Sequence, residues 1–304
     1  MPTGYATAFE GLMYGLLLVA ARHAWRTRGG PGVLSLTMGV IYGVLLEAAT
    51  IQQLDAYHYG RFWVMVTPEV PLAIGVGWGV IVYGVGLYTR ALALPVWQRA
   101  VLNGLLALNI DLAMDAVAIR LGFWDWGFGY DFQYFGVPWA NFWAWFWVVS
   151  SFTGVGDKIF GPGWRAWLAP FVALAVGLMT VLATNALLVF VLHPWGMDNA
   201  AIALLLGTAL LVAGFSGFWK RWQARPAPLA GWVARAFHGY FLIAGLVSGV
   251  LWQSPVLLAV AVAMLALAEV VYVLVPARYA PAIRAPAKDA SALPGRSHQR
   301  PKSA

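Results

Sequence analysis

The amino-acid sequence predicts an all-α, polytopic integral membrane bundle of about nine transmembrane helices, with its N-terminus outside and its C-terminus cytoplasmic. Three observations predict it. Hydrophobic residues fill 61% of the 304 positions and charged residues only 10%, where a soluble domain carries about 25% charged residues. No water-soluble fold hides that much apolar surface, so the solvent for most of the chain is lipid. The second observation is run length: Gly11–Ala21, Val70–Tyr88, Phe171–Leu192 and Leu257–Val275 carry few charges or none. With their flanks they are long enough for a hydrocarbon layer of about 30 Å. The third is the placement of Lys and Arg. An external N-terminus puts 17 of the 19 basic residues on the inner side and leaves only Arg61 and Arg120 outside, as the retention of basic loops in the cytoplasm requires.

The spans follow in order as 5–25, 33–53, 70–90, 98–120, 138–156, 166–192, 200–219, 232–252 and 255–275. The first is not a cleavable signal peptide, because its basic residues, Arg22, Arg26 and Arg28, follow the apolar run instead of preceding it. The third holds Gly75, Gly77, Gly79, Gly84 and Gly86, small residues that let helices approach closely. The fifth is Trp-rich, and Trp139, Trp143, Trp145 and Trp147 are expected mostly to pack or to form an interfacial belt. Between Gln253 and Pro255 almost no loop is left, which predicts a tight hairpin. Residues 1–275 thus form one transmembrane domain. Residues 276–304, rich in Pro, Ala, Ser and basic residues, are expected to be a disordered cytoplasmic tail near anionic lipid. The expected location is a prokaryotic-type plasma membrane.

The net charge of +7 is then a consequence of topology and implies no nucleic-acid partner. The absence of cysteine excludes disulfides, thiolate metal sites and cysteine catalysis.

Ionisable groups inside a span cost about 2.5–3.5 kcal/mol each on insertion scales, so they default to functional candidates. Glu47 lies on the second span, and Asp111 and Asp115 lie four residues apart on one face of the fourth. Most other acids, Glu10, Asp55, Glu69, Asp125, Asp131 and Asp198, fall toward the outside. That asymmetry predicts a cavity opening toward the outer half. Two neighbouring segments mix ionisable groups with aromatic rings: Asp55 to Arg61, with Tyr57, His58 and Tyr59, and Arg120 to Asn141, with Trp124, Trp126 and Tyr134. A belt at headgroup depth accounts for individual rings but not for acids within spans. The bland alternative for the aspartates is pairing with Arg120, Arg61 or a helix terminus. His58 is either a proton carrier or an interfacial donor; His193 and His238 are expected to be satisfied interface histidines, and Glu269 an interhelical pairing residue.

Burial beside apolar and aromatic surface favours the neutral form of a carboxyl, and of two acids on one face one keeps its proton. A protonated carboxyl beside an isoprenoid double bond can act as a Brønsted acid. Aromatic faces stabilise the resulting tertiary cation, and a carboxylate or His58 can activate water to complete a hydration.

The stretch Gly43-Val-Leu-Leu-Glu47 through Tyr57-His-Tyr59, then Val70-Pro-Leu72 and Trp78, resembles a first block of the membrane-bound carotenoid biosynthesis family. The second block is similar in Asp111 and Asp115, Gly122-Phe-Trp-Asp-Trp126, Tyr134-Phe-Gly-Val-Pro-Trp-Ala-Asn-Phe142 and Trp145. The family includes CruF-type carotenoid 1,2-hydratases and bisanhydrobacterioruberin hydratase. The resemblance covers roughly residues 40–160, and it implies water addition across the terminal 1,2 double bond of an acyclic carotenoid, giving a tertiary alcohol. It implies no redox cofactor, and no metal is expected. The catalytic acids would be Glu47, Asp111 and Asp115, with Tyr57, His58, Tyr59, Trp124, Trp126, Tyr134 and Asn141 shaping the pocket. The chain departs from the family pattern at Ile51-Gln-Gln-Leu-Asp55, at Asp115-Ala116 and at Ala144-Trp145, so the substrate is either an acyclic carotenoid or another polyisoprenoid lipid.

Two other classes stay open at this point. Asn109-Ile-Asp111 with Asp115 faintly resembles the first aspartate-rich motif of UbiA-type intramembrane prenyltransferases, which hold Mg²⁺ on a diphosphate; no second such motif accompanies it. A proton-coupled transporter or lipid-binding protein would use the same three acids as a relay, but its usual pair of related halves is not found.

Overall fold

The computed structural model describes residues 1–54 and 57–281. Asp55 and residues 282–304, most of the expected tail, lie outside the described residues. Helix α1, Gly4–Leu54, is 51 residues long. A straight helix of that length would measure about 76 Å, over twice the hydrocarbon thickness. Instead the backbone leaves helical geometry at Gly29 (φ 59°, ψ −143°), two residues before Pro31. A Cβ on Gly32 would lie 2.6 Å from the Ala24 carbonyl oxygen, although eight residues of straight helix separate by about 12 Å. The chain therefore folds back, and the two limbs correspond to the first two predicted spans. Glu10, near the start of the first limb, accepts the backbone N–H groups of Trp63 (2.7 Å) and Val64 (3.0 Å), just beyond the second.

Strand β1 (His58–Tyr59) precedes α2 (Leu72–Thr89) and α3 (Val96–Arg120), and strand β2 (Trp124–Asp125) precedes α4 (Trp139–Ile159). Helix α5, Trp164–Ala186, runs into a π-helical turn at Leu187–Leu192. Then come α6 (Asp198–Ser216), α7 (Pro228–Val247), the one-turn α8 (Val250–Gln253), α9 (Pro255–Glu269), a second π turn at Val270–Leu274 and α10 (Val275–Tyr279). Every predicted span falls on helix. Among the described residues, seven helical stretches are long and apolar enough to cross a membrane, the first of them containing both limbs of α1. The 21-residue α4, rich in Trp and interrupted by Asn141, Ser150 and Ser151, is not among them. One boundary differs. The helix of the eighth span ends at Val247, and the one-turn α8 sits between Gly249 (φ 85°) and Ser254 (φ −133°), after which α9 opens at Pro255 as expected. Leu251 sits so close to Gly245 that a Cβ there would meet it at 2.7 Å.

The glycine face of α2 sets the distance between α1 and α2. A Cβ on Gly75 would meet Val44 at 2.4 Å, one on Gly79 would meet Val40 at 2.6 Å, and one on Gly43 would meet Trp78 at 2.5 Å. Only small residues permit that approach, and it carries the Trp78 indole to Glu47, one turn beyond Gly43.

Some of the remaining charges in or beside helices are paired. Asp157 meets Arg90 and Arg99, each at 3.2 Å. Glu269 receives a two-pronged contact from Arg235 at 2.5 and 2.6 Å, the interhelical pairing expected of it. His238 meets the Asn109 side-chain oxygen at 3.0 Å.

Candidate active site

The two polar-aromatic segments come together as a two-stranded antiparallel pair, with His58 opposite Asp125 and Tyr59 opposite Trp124. The approach is close: a Cβ on Gly60 would lie 2.3 Å from the Gly122 carbonyl oxygen, and Gly122 itself adopts φ 73°. Residues alternate sides along a strand. Tyr57 and Tyr59 therefore turn inward, while His58 between them is exposed.

Glu47, buried on the second limb of α1, is the focus of three donors. The phenols of Tyr57 and Tyr59 donate to Oε2, the latter at 2.7 Å, and the Trp78 indole N–H donates to Oε1 at 2.6 Å. Burial, and the Glu47 carboxyl beside them, hold both phenols well above their ordinary pKa, so they remain donors.

Asp111 and Asp115 face α4, where the Asn141 amide nitrogen reaches both: 3.1 and 3.3 Å to the Asp111 oxygens and 2.6 Å to Asp115 Oδ2. Both carboxyls are buried, and neither has an ion-pair partner among the described residues. Arg120, the cation considered for them, is committed elsewhere. It donates to the carbonyls of Ala116 (2.8 Å), Phe135 (2.7 Å) and Tyr130 (3.3 Å), and its guanidinium lies 4.5 Å from the centre of the Tyr130 ring. It thereby pins the loop before α4, in which Gln133 (φ 38°) and Phe135 (φ 49°) occupy left-handed backbone.

A cavity of about 650 Å³ adjoins these groups, within the range usual for small-molecule sites. Glu47, Tyr57, Tyr59, Asp115 and Asn141 line it, and Asp111 stands behind Asp115. Trp124, Trp126, Trp78 and Trp145 supply ring surface, with Tyr57 4.7 Å from Trp126 and Trp78 4.3 Å from Trp145 between centroids. Of the expected pocket residues, His58 and Tyr134 do not line the cavity. Tyr134 supports it, donating to the Leu112 carbonyl at 2.8 Å and packing edge-on to Phe142.

Three lining residues escaped the sequence reading, Thr50, Gln53 and Asn185, and His193 and Asp198, expected as an interface histidine and an outer acid, also line the cavity. The signal for Asn185 was a lone amide inside an otherwise apolar span. For Thr50 and Gln53 it was their spacing of three and six residues from Glu47. Among the described residues, no three His, Asp or Glu side chains gather as a metal site.

Comparison with protein families finds a match, over residues 11–215, to the family described as "Carotenoid biosynthesis protein". No curated protein and no solved structure matches the chain.

Proposed function

We propose, for a chain that belongs to the carotenoid biosynthesis protein family, that it adds water across the terminal 1,2 double bond of an acyclic carotenoid or a related polyisoprenoid held in the membrane. One observation carries the reading: three buried carboxyls, without a cation among the described residues, adjoin a cavity walled by indole and phenol rings. Like charges in contact do not both ionise, so the Asp111–Asp115 pair keeps a proton. Asp115, the member that lines the cavity, is the donor, and Asp111 and Asn141 position it.

The Asp115 proton bonds to C-2 as the π bond breaks, leaving a tertiary cation at C-1. The faces of Trp124, Trp126 and Tyr57 stabilise that cation through their quadrupoles, and the Glu47 carboxyl supplies opposite charge. A carboxylate offers about four acceptor sites. Three are occupied at Glu47, which leaves one to orient a water and take its proton as the oxygen bonds to C-1. The product is a tertiary alcohol. The proton lost to Glu47 balances the one spent by Asp115, and no electron changes hands.

The test is expression in a host that makes lycopene-type carotenoids, with pigments analysed by mass spectrometry. The expected result is a gain of one water per modified end, carrying the label from heavy-oxygen water and unaffected by chelators. Unchanged pigment in a well-inserted protein overturns the carotenoid as substrate and leaves another polyisoprenoid, or transport, in its place.

A further inference from the structure

The cavity lining is of two kinds. Aromatic rings, among them Trp126, Phe128 and Phe132, make up much of it. Glu47, Thr50 and Gln53, also in the lining, follow at three-residue steps along the second limb of α1, which places them on one helical face. Gln53 donates its amide to the Leu182 carbonyl of α5 at 3.3 Å, while its own side-chain oxygen is buried with no partner among the described residues. One turn beyond Leu182, Asn185 is only 4% exposed, lines the cavity and makes no side-chain hydrogen bond among the described residues. The row ends at His193 and Asp198, 2.8 Å apart with side chains 70% and 21% exposed, which also line the cavity.

Buried polar groups without protein partners are satisfied by water where space allows. A water molecule takes about 30 Å³, so the cavity holds a file of them alongside a hydrocarbon tail. We infer that Thr50, Gln53 and Asn185 form a water-binding path from the His193–Asp198 mouth to Glu47, separate from the aromatic rings that take the isoprenoid. The path supplies the water consumed in the reaction, while the proton taken by Glu47 returns to Asp115 so that no net proton is released, and its catalytic meaning therefore rests on the hydration reading. Its existence does not.

The chain has no cysteine, so single cysteines report access without background. Thr50→Cys, Gln53→Cys and Asn185→Cys, each purified as a monodisperse protein in lipid nanodiscs, are treated with a charged methanethiosulfonate reagent. Asp131→Cys, in an exposed loop, is the positive control. Leu204→Cys, on an exposed apolar face of α6, is the lipid-facing control. All three path positions are expected to react while Leu204→Cys does not. Adding Asn185→Leu to Thr50→Cys should slow labelling of the deeper position by about tenfold, the scale of one lost hydrogen-bond partner. Unreactive path positions beside a reactive Asp131→Cys overturn the path. Reactive positions in a protein that hydrates nothing leave the path standing and sink only the hydration reading.

Discussion

Trp78 donates its indole N–H to Glu47 Oε1 at 2.6 Å, and this single bond joins α2 to the second limb of α1 at the level of the cavity. Trp78→Phe removes the donor and leaves a buried oxygen unsatisfied, a loss of about 1–3 kcal/mol. The expected outcome is a lower melting temperature in detergent together with reduced product. Glu47→Gln keeps the shape but turns an amide group toward three donors, and is expected to abolish product while leaving insertion intact. Full activity in Glu47→Gln would remove Glu47 from the mechanism.

Among the described residues, Asn141 is the one side chain that hydrogen-bonds both aspartates. Asn141→Leu should cut product by about a hundredfold, the scale of a misplaced general acid. Asp115→Asn should cut it at least as far. Pigment analysis at matched protein levels checks both, and an active Asp115→Asn variant would exclude Asp115 as the donor.

Arg120 acts on the loop and not on the acids. Its planar fork serves three carbonyls and stacks on Tyr130, a combination that a lysine cannot reproduce. Arg120→Lys is therefore expected to lower both thermal stability and activity. If Arg120 instead neutralised Asp111 and Asp115, the lysine variant would keep activity close to the parent.

Arg235 and Glu269 tie α7 to α9 through two contacts. Arg235→Leu or Glu269→Leu alone leaves an unpaired charge beside lipid and should reduce the amount of folded protein recovered from membranes. The exchanged pair, Arg235→Glu with Glu269→Arg, should recover much of that loss. A double-mutant cycle measures the coupling, and simple additivity would show that the pair is idle.

The sequence revealed the helices because lipid imposes one strong rule, long apolar runs, on every span. It revealed the three acids because a carboxyl within such a run stands out at once. The fold-back at Gly29 was legible from the arginines beside it. The rest depended on facing. His58 lies between two tyrosines that both reach Glu47, and strand alternation turns it outward, a fact unavailable until Tyr59 is known to pair with Trp124. Asn185 gave a signal but no direction, because one amide in a run of Leu, Val and Ala has no periodicity to orient it. Arg120 is one of the partners that the bland alternative offers Asp111 and Asp115, whereas its donors are spent on carbonyls that hydropathy does not reveal.

The pairing of His58–Tyr59 with Trp124–Asp125 also dictates an order of assembly. The first of these strands leaves the ribosome some 65 residues before the second, and Asn141 follows later still. Until then Tyr57 and Tyr59 have no wall to close against, and Asp111 and Asp115 have no shared donor. The first three helices therefore enter the bilayer with Glu47 already held by Tyr57, Tyr59 and Trp78 but with Asp111 and Asp115 unclamped, and arrival of α4 is the step that gives the aspartates their shared donor. A ribosome stalled before Asn141 should accordingly display an inserted but open intermediate, the form most exposed to membrane proteases.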